Sequence, residues 1–106
     1  MNNLPEKFLN FKRDFPEIFS AYEYLGEALS KGSKLNEKTR LLVKLAIAVG
    51  AGLEGAVHSH TRRALEGGCT KEEIHSVVLH SLTTIGFPSM MKAMTWVDDI
   101  LNEIKE

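Results

Sequence analysis

The sequence predicts an all-α, single-domain bundle of about six helices. Three observations carry that expectation. Apolar residues recur three and four apart in every substantial segment, which places them on one side of a helix. Each of the three prolines stands where a helix can start, at a position whose missing N–H is not needed. No segment alternates apolar and polar residues with period two, and no Asn-Gly hairpin turn occurs.

The elements follow in order. Pro5 precedes Phe8, Leu9 and Phe11, a short helical pattern. Pro16 opens a second helix with Ile18, Phe19, Tyr22 and Leu25 at helical spacing, ending at Gly32. Asn36 is a good N-cap for a third, with Glu37 in its first turn, running through Leu41, Leu42, Val43, Leu45, Ile47 and Val49 to Gly50. A fourth spans 54–66 and stops at Gly67-Gly68. Thr70-Lys71-Glu72-Glu73 reads as a capping box that opens a fifth helix through Leu82. Gly86-Phe87-Pro88 interrupts it, and Pro88 starts a last helix with Met90, Met91, Met94, Val97, Ile100 and Leu101. The whole of 1–106 reads as one domain, with N-terminal helices over 1–34.

Composition narrows the function. Hydrophobic residues make up 43% and charged residues 25%, which excludes a disordered chain. Thirteen basic against fourteen acidic residues give a net charge of −1, an argument against nucleic-acid and anionic-membrane partners. The single cysteine, Cys69, excludes an internal disulfide framework, so a reducing cytoplasm is the expected compartment. The first residues carry Glu6, Lys7, Lys12 and Arg13 among apolar ones and do not read as a signal peptide. The longest nearly apolar stretch, 41–53, contains Lys44 and is shorter than the roughly 18–20 residues of a membrane span.

The helix over 37–50 has almost no polar face. A helix apolar nearly all round must be covered nearly all round, which a domain this small achieves most simply in a homo-oligomer. The alternative is a central helix buried by its own chain. Met90, Met91, Met94 and Trp96 would extend the interface.

Reactive groups are densest between Leu53 and Arg63. Glu54 and His58 stand four apart on one helical face, within reach of a carboxylate–imidazole hydrogen bond suited to a general acid or base. Arg62 continues the stripe, and a plain solvated ladder is the competing reading. His60 points about 200° from His58 and lines up with Ala56 and Ala64, a small-residue face with room for a substrate. His75 and His80 read as hydrogen-bonded structural histidines. No Cys-x-x-Cys or His-x-x-x-His spacing supports a metal site, and none is expected. Cys69 beside a helix start reads as a passive turn residue, although a helix N-terminus lowers a thiol's pKa.

In order and spacing, Asn36-Glu37-Lys38-Thr39-Arg40-Leu41-Leu42, the Ala-rich helix ending at Gly52, His60-Thr61-Arg62-Arg63-Ala64-Leu65-Glu66-Gly67-Gly68, Thr70-Lys71-Glu72-Glu73-Ile74 and Thr84-Ile85-Gly86-Phe87-Pro88 resemble the carboxymuconolactone decarboxylase family, which includes the alkylhydroperoxidase D-like proteins. The resemblance runs from about Leu35 to Val97. It implies an all-helical fold and assembly as a trimer or hexamer. In the redox branch, two cysteines precede the histidine; the matching positions are Leu53 and Ala56, and that branch's glutamate position holds Leu41. Peroxidase or disulfide-exchange chemistry is therefore disfavoured, because neither Leu nor Ala replaces a thiolate.

The decarboxylase branch keeps the histidine without the cysteine pair. The resemblance thus implies a cofactor-independent acid–base enzyme, a lyase or isomerase acting on a small carboxylated metabolite. His60, His58 and Glu54 are the candidate acid and base, with Arg62, Arg63 and Phe87 as candidate substrate contacts. A non-catalytic oligomer of the same fold, binding a small ligand or partner, is the alternative. A peroxidase using Cys69 ranks last.

Overall fold

A computed structural model describes residues 4–103. Among them are α1 (Glu6–Asp14), α2 (Pro16–Gly32), α3 (Glu37–Ala51), α4 (Glu54–Glu66), α5 (Lys71–His80), the one-turn α6 (Leu82–Ile85) and α7 (Phe87–Glu103), and no strand. The chain forms two compact units, one ending at Lys34 and the other beginning at Leu35.

In the first unit, Pro16 supplies the first turn of α2, where its fixed φ and absent N–H suit the helix start. Phe19 is buried, with Phe8 of α1 edge-on to it at 5.5 Å between centroids. The Lys12 ammonium lies 5.4 Å from the same ring centre.

The second unit holds the main core and the site. Asn36 caps α3 by accepting the Thr39 N–H at 2.9 Å. Gly52 then ends α3 in the left-handed region (φ 69°), where a side chain would be strained, and the Leu53 N–H turns back to the Ala48 carbonyl. α4 follows after only Gly52 and Leu53, so α3 and α4 pack as an antiparallel hairpin. At its far end Gly67 lies so close to the Leu41 side chain that a Cβ there would collide with it. Thr70 and Glu73 form the capping box at the start of α5, with bonds of 2.8 and 3.0 Å.

The fifth predicted helix is divided. At Ser81 both the backbone N–H and the hydroxyl bond to the Val78 carbonyl, an i−3 pattern that tightens the turn and ends α5. The Ser81 carbonyl then accepts from Thr84 and Ile85, which starts α6. Gly86, at φ 91°, separates α6 from α7.

α3, α4, α5 and α7 each contribute to one apolar core: Leu45, Val57, Ile74, Val78 and Val97 are fully buried. Thr61 is the buried polar residue among them, and its hydroxyl donates to the Val57 carbonyl at 2.7 Å. Within this unit only one side of α3 is covered. Leu45, Ala48 and Val49 are buried, whereas Val43 is 41% and Ile47 64% exposed. Met90 is buried in the core, Met94 and Trp96 are partly buried against it, and Met91 lies on the surface. Among the described residues, no helix is long and apolar enough to cross a membrane.

Candidate active site

α4 presents three stripes. Val57, Thr61 and Ala64 point into the core. Glu54, His58 and Arg62 flank them on the side of α7, and His60 and Arg63 on the side of α3. Helical spacing alone therefore separates His58 from His60, as expected.

His60 is partly buried, and its imidazolium is disfavoured. Burial is the largest cause, followed by the positive charges of Arg63 and Lys44, and together they hold the ring's pKa below 6.5. At neutral pH the side chain is thus an uncharged base set beside two cations. Lys44 was not singled out from the sequence. It lies 16 positions from His60 on another helix, and only the α3–α4 hairpin brings its ammonium near the ring.

Two expectations about this region are corrected. The small-residue face beside His60 is not open space, since Ala64 is fully buried and Ala56 packs against the core. Small side chains there allow α4 to approach its neighbours closely. The carboxylate bonded to His58 is also not Glu54. His58 Nε2 bonds Asp99 Oδ2 of α7 at 3.0 Å, a partner 41 residues away that no local spacing reveals.

The remaining candidates are dispersed. Arg62 is partly buried, with its Nε lacking a hydrogen-bond partner. Phe87, at the start of α7, is 60% exposed. His75 bonds Asp98 at 2.8 Å, and His80 donates its Nδ1–H to the Ser76 carbonyl at 2.8 Å, both structural pairings of the kind expected. Cys69 is buried beneath the turn before α5. Burial, then the nearby Glu73 carboxylate, pushes its thiol pKa up, which outweighs the lowering that a helix start favours.

An apolar groove of about 460 Å³ runs between α3 and α5. Leu42, Val43 and Ala46 form one wall, with Ser76, Val77 and His80 on the other. Because Nδ1 of His80 is committed to the Ser76 carbonyl, Nε2 carries the lone pair of the neutral ring. None of Glu54, His58, His60, Arg62, Arg63 or Phe87 lines this groove. Its signal in the sequence was present but unread: residues 42, 43, 46 and 76, 77, 80 repeat at helical spacing on two elements.

The family model for the carboxymuconolactone decarboxylase family matches residues 16–99. The chain belongs to that family. An uncharacterized protein of Methanocaldococcus jannaschii is 33% identical over 92 residues, covering 87% of this chain and 86% of the other. The 4-carboxymuconolactone decarboxylase of Acinetobacter baylyi is 28% identical over 104 residues, 98% of this chain and 76% of that enzyme. A carboxymuconolactone decarboxylase family protein from Legionella pneumophila superposes with a TM-score of 0.78 at 24% identity, covering 93% and 88% of the two chains, which establishes the shared all-α fold.

The electrostatic setting of His60 gives a direct prediction for this family member. A folded-state pKa below 6.5 means that the unfolded chain binds more protons at that site. His60 therefore adds stability that is fully present above pH 6.5 and is lost as pH falls from 6.5 through the folded-state value. An NMR titration should show the His60 ring titrating below 6.5, and Lys44→Ala and Arg63→Ala should each move it upward. A ring that titrates at 6.5 or above in the unmodified protein would contradict the described site.

Proposed function

We propose that this protein is an acid–base lyase that decarboxylates a small carboxylated metabolite at His60. One observation carries the reading: an imidazole kept neutral by burial and by two cations, Arg63 and Lys44. An incoming carboxylate would pair with those cations. Loss of CO₂ leaves the bonding electron pair on the adjacent carbon, delocalised into the substrate's own carbonyl, and the His60 ring relays a solvent proton to that carbon. The substrate supplies the electron sink, so this scheme requires no cofactor. The name of the Acinetobacter relative supports carboxylated lactones as the first class to try. The experiment is a CO₂-release assay across carboxylated lactones and 3-oxo acids; absence of turnover on every member sinks the proposal.

The α3–α5 groove favours a second reading, in which the protein binds an apolar ligand without turning it over. The groove is separate from every predicted catalytic residue. A thermal-shift screen alongside the CO₂ assay separates the two readings. Thiol peroxidase chemistry has less support, since Cys69 is the single cysteine and is buried.

We further propose that the protein works as a homo-oligomer, a trimer or hexamer, in a reducing cytoplasm. The uncovered side of α3, with Val43 and Ile47 in water, supports an interface there. Light scattering at micromolar concentration should return an integral multiple of the 11.8 kDa chain mass. A single-chain mass would remove the assembly.

A further inference from the structure

The outer stripe of α4 gathers groups that chemistry at His60 does not use. Glu54 and His58 stand one turn apart, and Asp99 of α7 brings a second carboxylate to the same imidazole. His58 Nε2 and Asp99 Oδ2 are 3.0 Å apart, and one ligating atom from each of the three residues lies within 4.8 Å of the other two. Two carboxylates around one ring concentrate negative charge at a single point. Arg62, one turn along the stripe, does not offset it through Nε, which has no hydrogen-bond partner. Nor does Arg62 take part in the ion pairs formed among the described residues. The neighbouring His75 and Asp98 bond each other.

We propose that Glu54, His58 and Asp99 bind a divalent first-row cation of the zinc class, clamping α4 to α7. Ligands 2.0–2.2 Å from a tetrahedral zinc stand about 3.4 Å from one another. The His58–Asp99 pair is already that close, and a rotamer change of the exposed Glu54 side chain, at the first turn of α4, would close the other two edges from within 4.8 Å. The two helices are held by fully buried Val57 and Val97, so the ligands sit on rigid supports. An imidazole in the set favours zinc, cobalt or nickel over magnesium and calcium, which prefer oxygen alone. Three protein ligands leave a fourth position for water. The site lies on the stripe opposite His60, and it stands or falls independently of the lyase reading.

The test uses the tag-free full chain, stripped with chelator and titrated with Zn²⁺ by calorimetry and with Co²⁺ by visible absorption. Saturation at a single equivalent per chain is expected, with excess Mg²⁺ failing to compete. Glu54→Gln and Asp99→Asn should each weaken Zn²⁺ binding roughly tenfold or more, and His58→Ala should remove it. Zn²⁺ should also raise the Tm of the unmodified protein but not of His58→Ala. Cys69→Ser should leave the affinity unchanged. No saturable binding, binding indifferent to the Asp99 and Glu54 changes, or binding lost in Cys69→Ser would each overturn the site. Should His58→Ala fail to fold, Glu54→Gln decides the question, because that side chain is exposed.

Discussion

Replacing His60 with Gln is expected to lower the proposed decarboxylase turnover by about 10²- to 10⁴-fold, the usual range for removing a positioned acid or base. Gln keeps a polar side chain of similar reach but cannot move a proton. The effect should fall on kcat, since Lys44 and Arg63, the proposed partners of the substrate carboxylate, remain. Arg63→Ala should behave differently, raising KM more than it lowers kcat. Under the proposed lyase scheme the neutral ring is the reacting form, so the acidic limb of kcat/KM should lie below pH 6.5. Removing Lys44 withdraws one of the charges that disfavour the imidazolium, so the acidic limb should move to higher pH in Lys44→Ala. Two results would defeat the assignment: His60→Gln turning over at the unmodified rate, or His60→Gln losing several kcal/mol of stability by urea unfolding. The second would identify His60 as a packing residue whose loss leaves partners unpaired.

The largest stability effect is expected at Leu45. Its side chain is fully buried in the middle of α3, within the core shared by α4, α5 and α7. Leu45→Ala should destabilise the fold by about 2–5 kcal/mol, the lost transfer free energy plus the cavity left behind. The measurement is a shift of the urea midpoint at constant slope. Ile47→Ala, two residues away on the uncovered side of the same helix, gives the internal comparison. In the isolated chain it should change stability little, because Ile47 is 64% exposed. A large loss at Ile47 accompanied by dissociation in light scattering would instead locate the subunit contact at that residue.

The helices were legible because their signals are local. Asn36, Pro16, the Thr70–Glu73 box, Gly52 and Gly86 act on backbone groups within four residues, and each does in the structure what its chemistry requires. The break at Ser81 was missed although its cause is also local. A serine hydroxyl competes for the carbonyl three residues back, and apolar periodicity continuing through Leu82 masked that competition.

The same division separates the site residues. By itself the sequence determined the all-α class, the opposed directions of His58 and His60 on one helix, and the absence of a second cysteine to pair with Cys69. Each follows from helical geometry or from residue identity. Only the tertiary structure decided which charges the histidines meet: Asp99 for His58, Asp98 for His75, Lys44 for His60. It also decided that Ala64 is filled core and that the α3–α5 groove exists. The physical reason is range. A helical repeat fixes neighbours three and four residues apart, whereas the partner of an imidazole is set by how two helices cross, and that crossing depends on side chains distributed over the whole core.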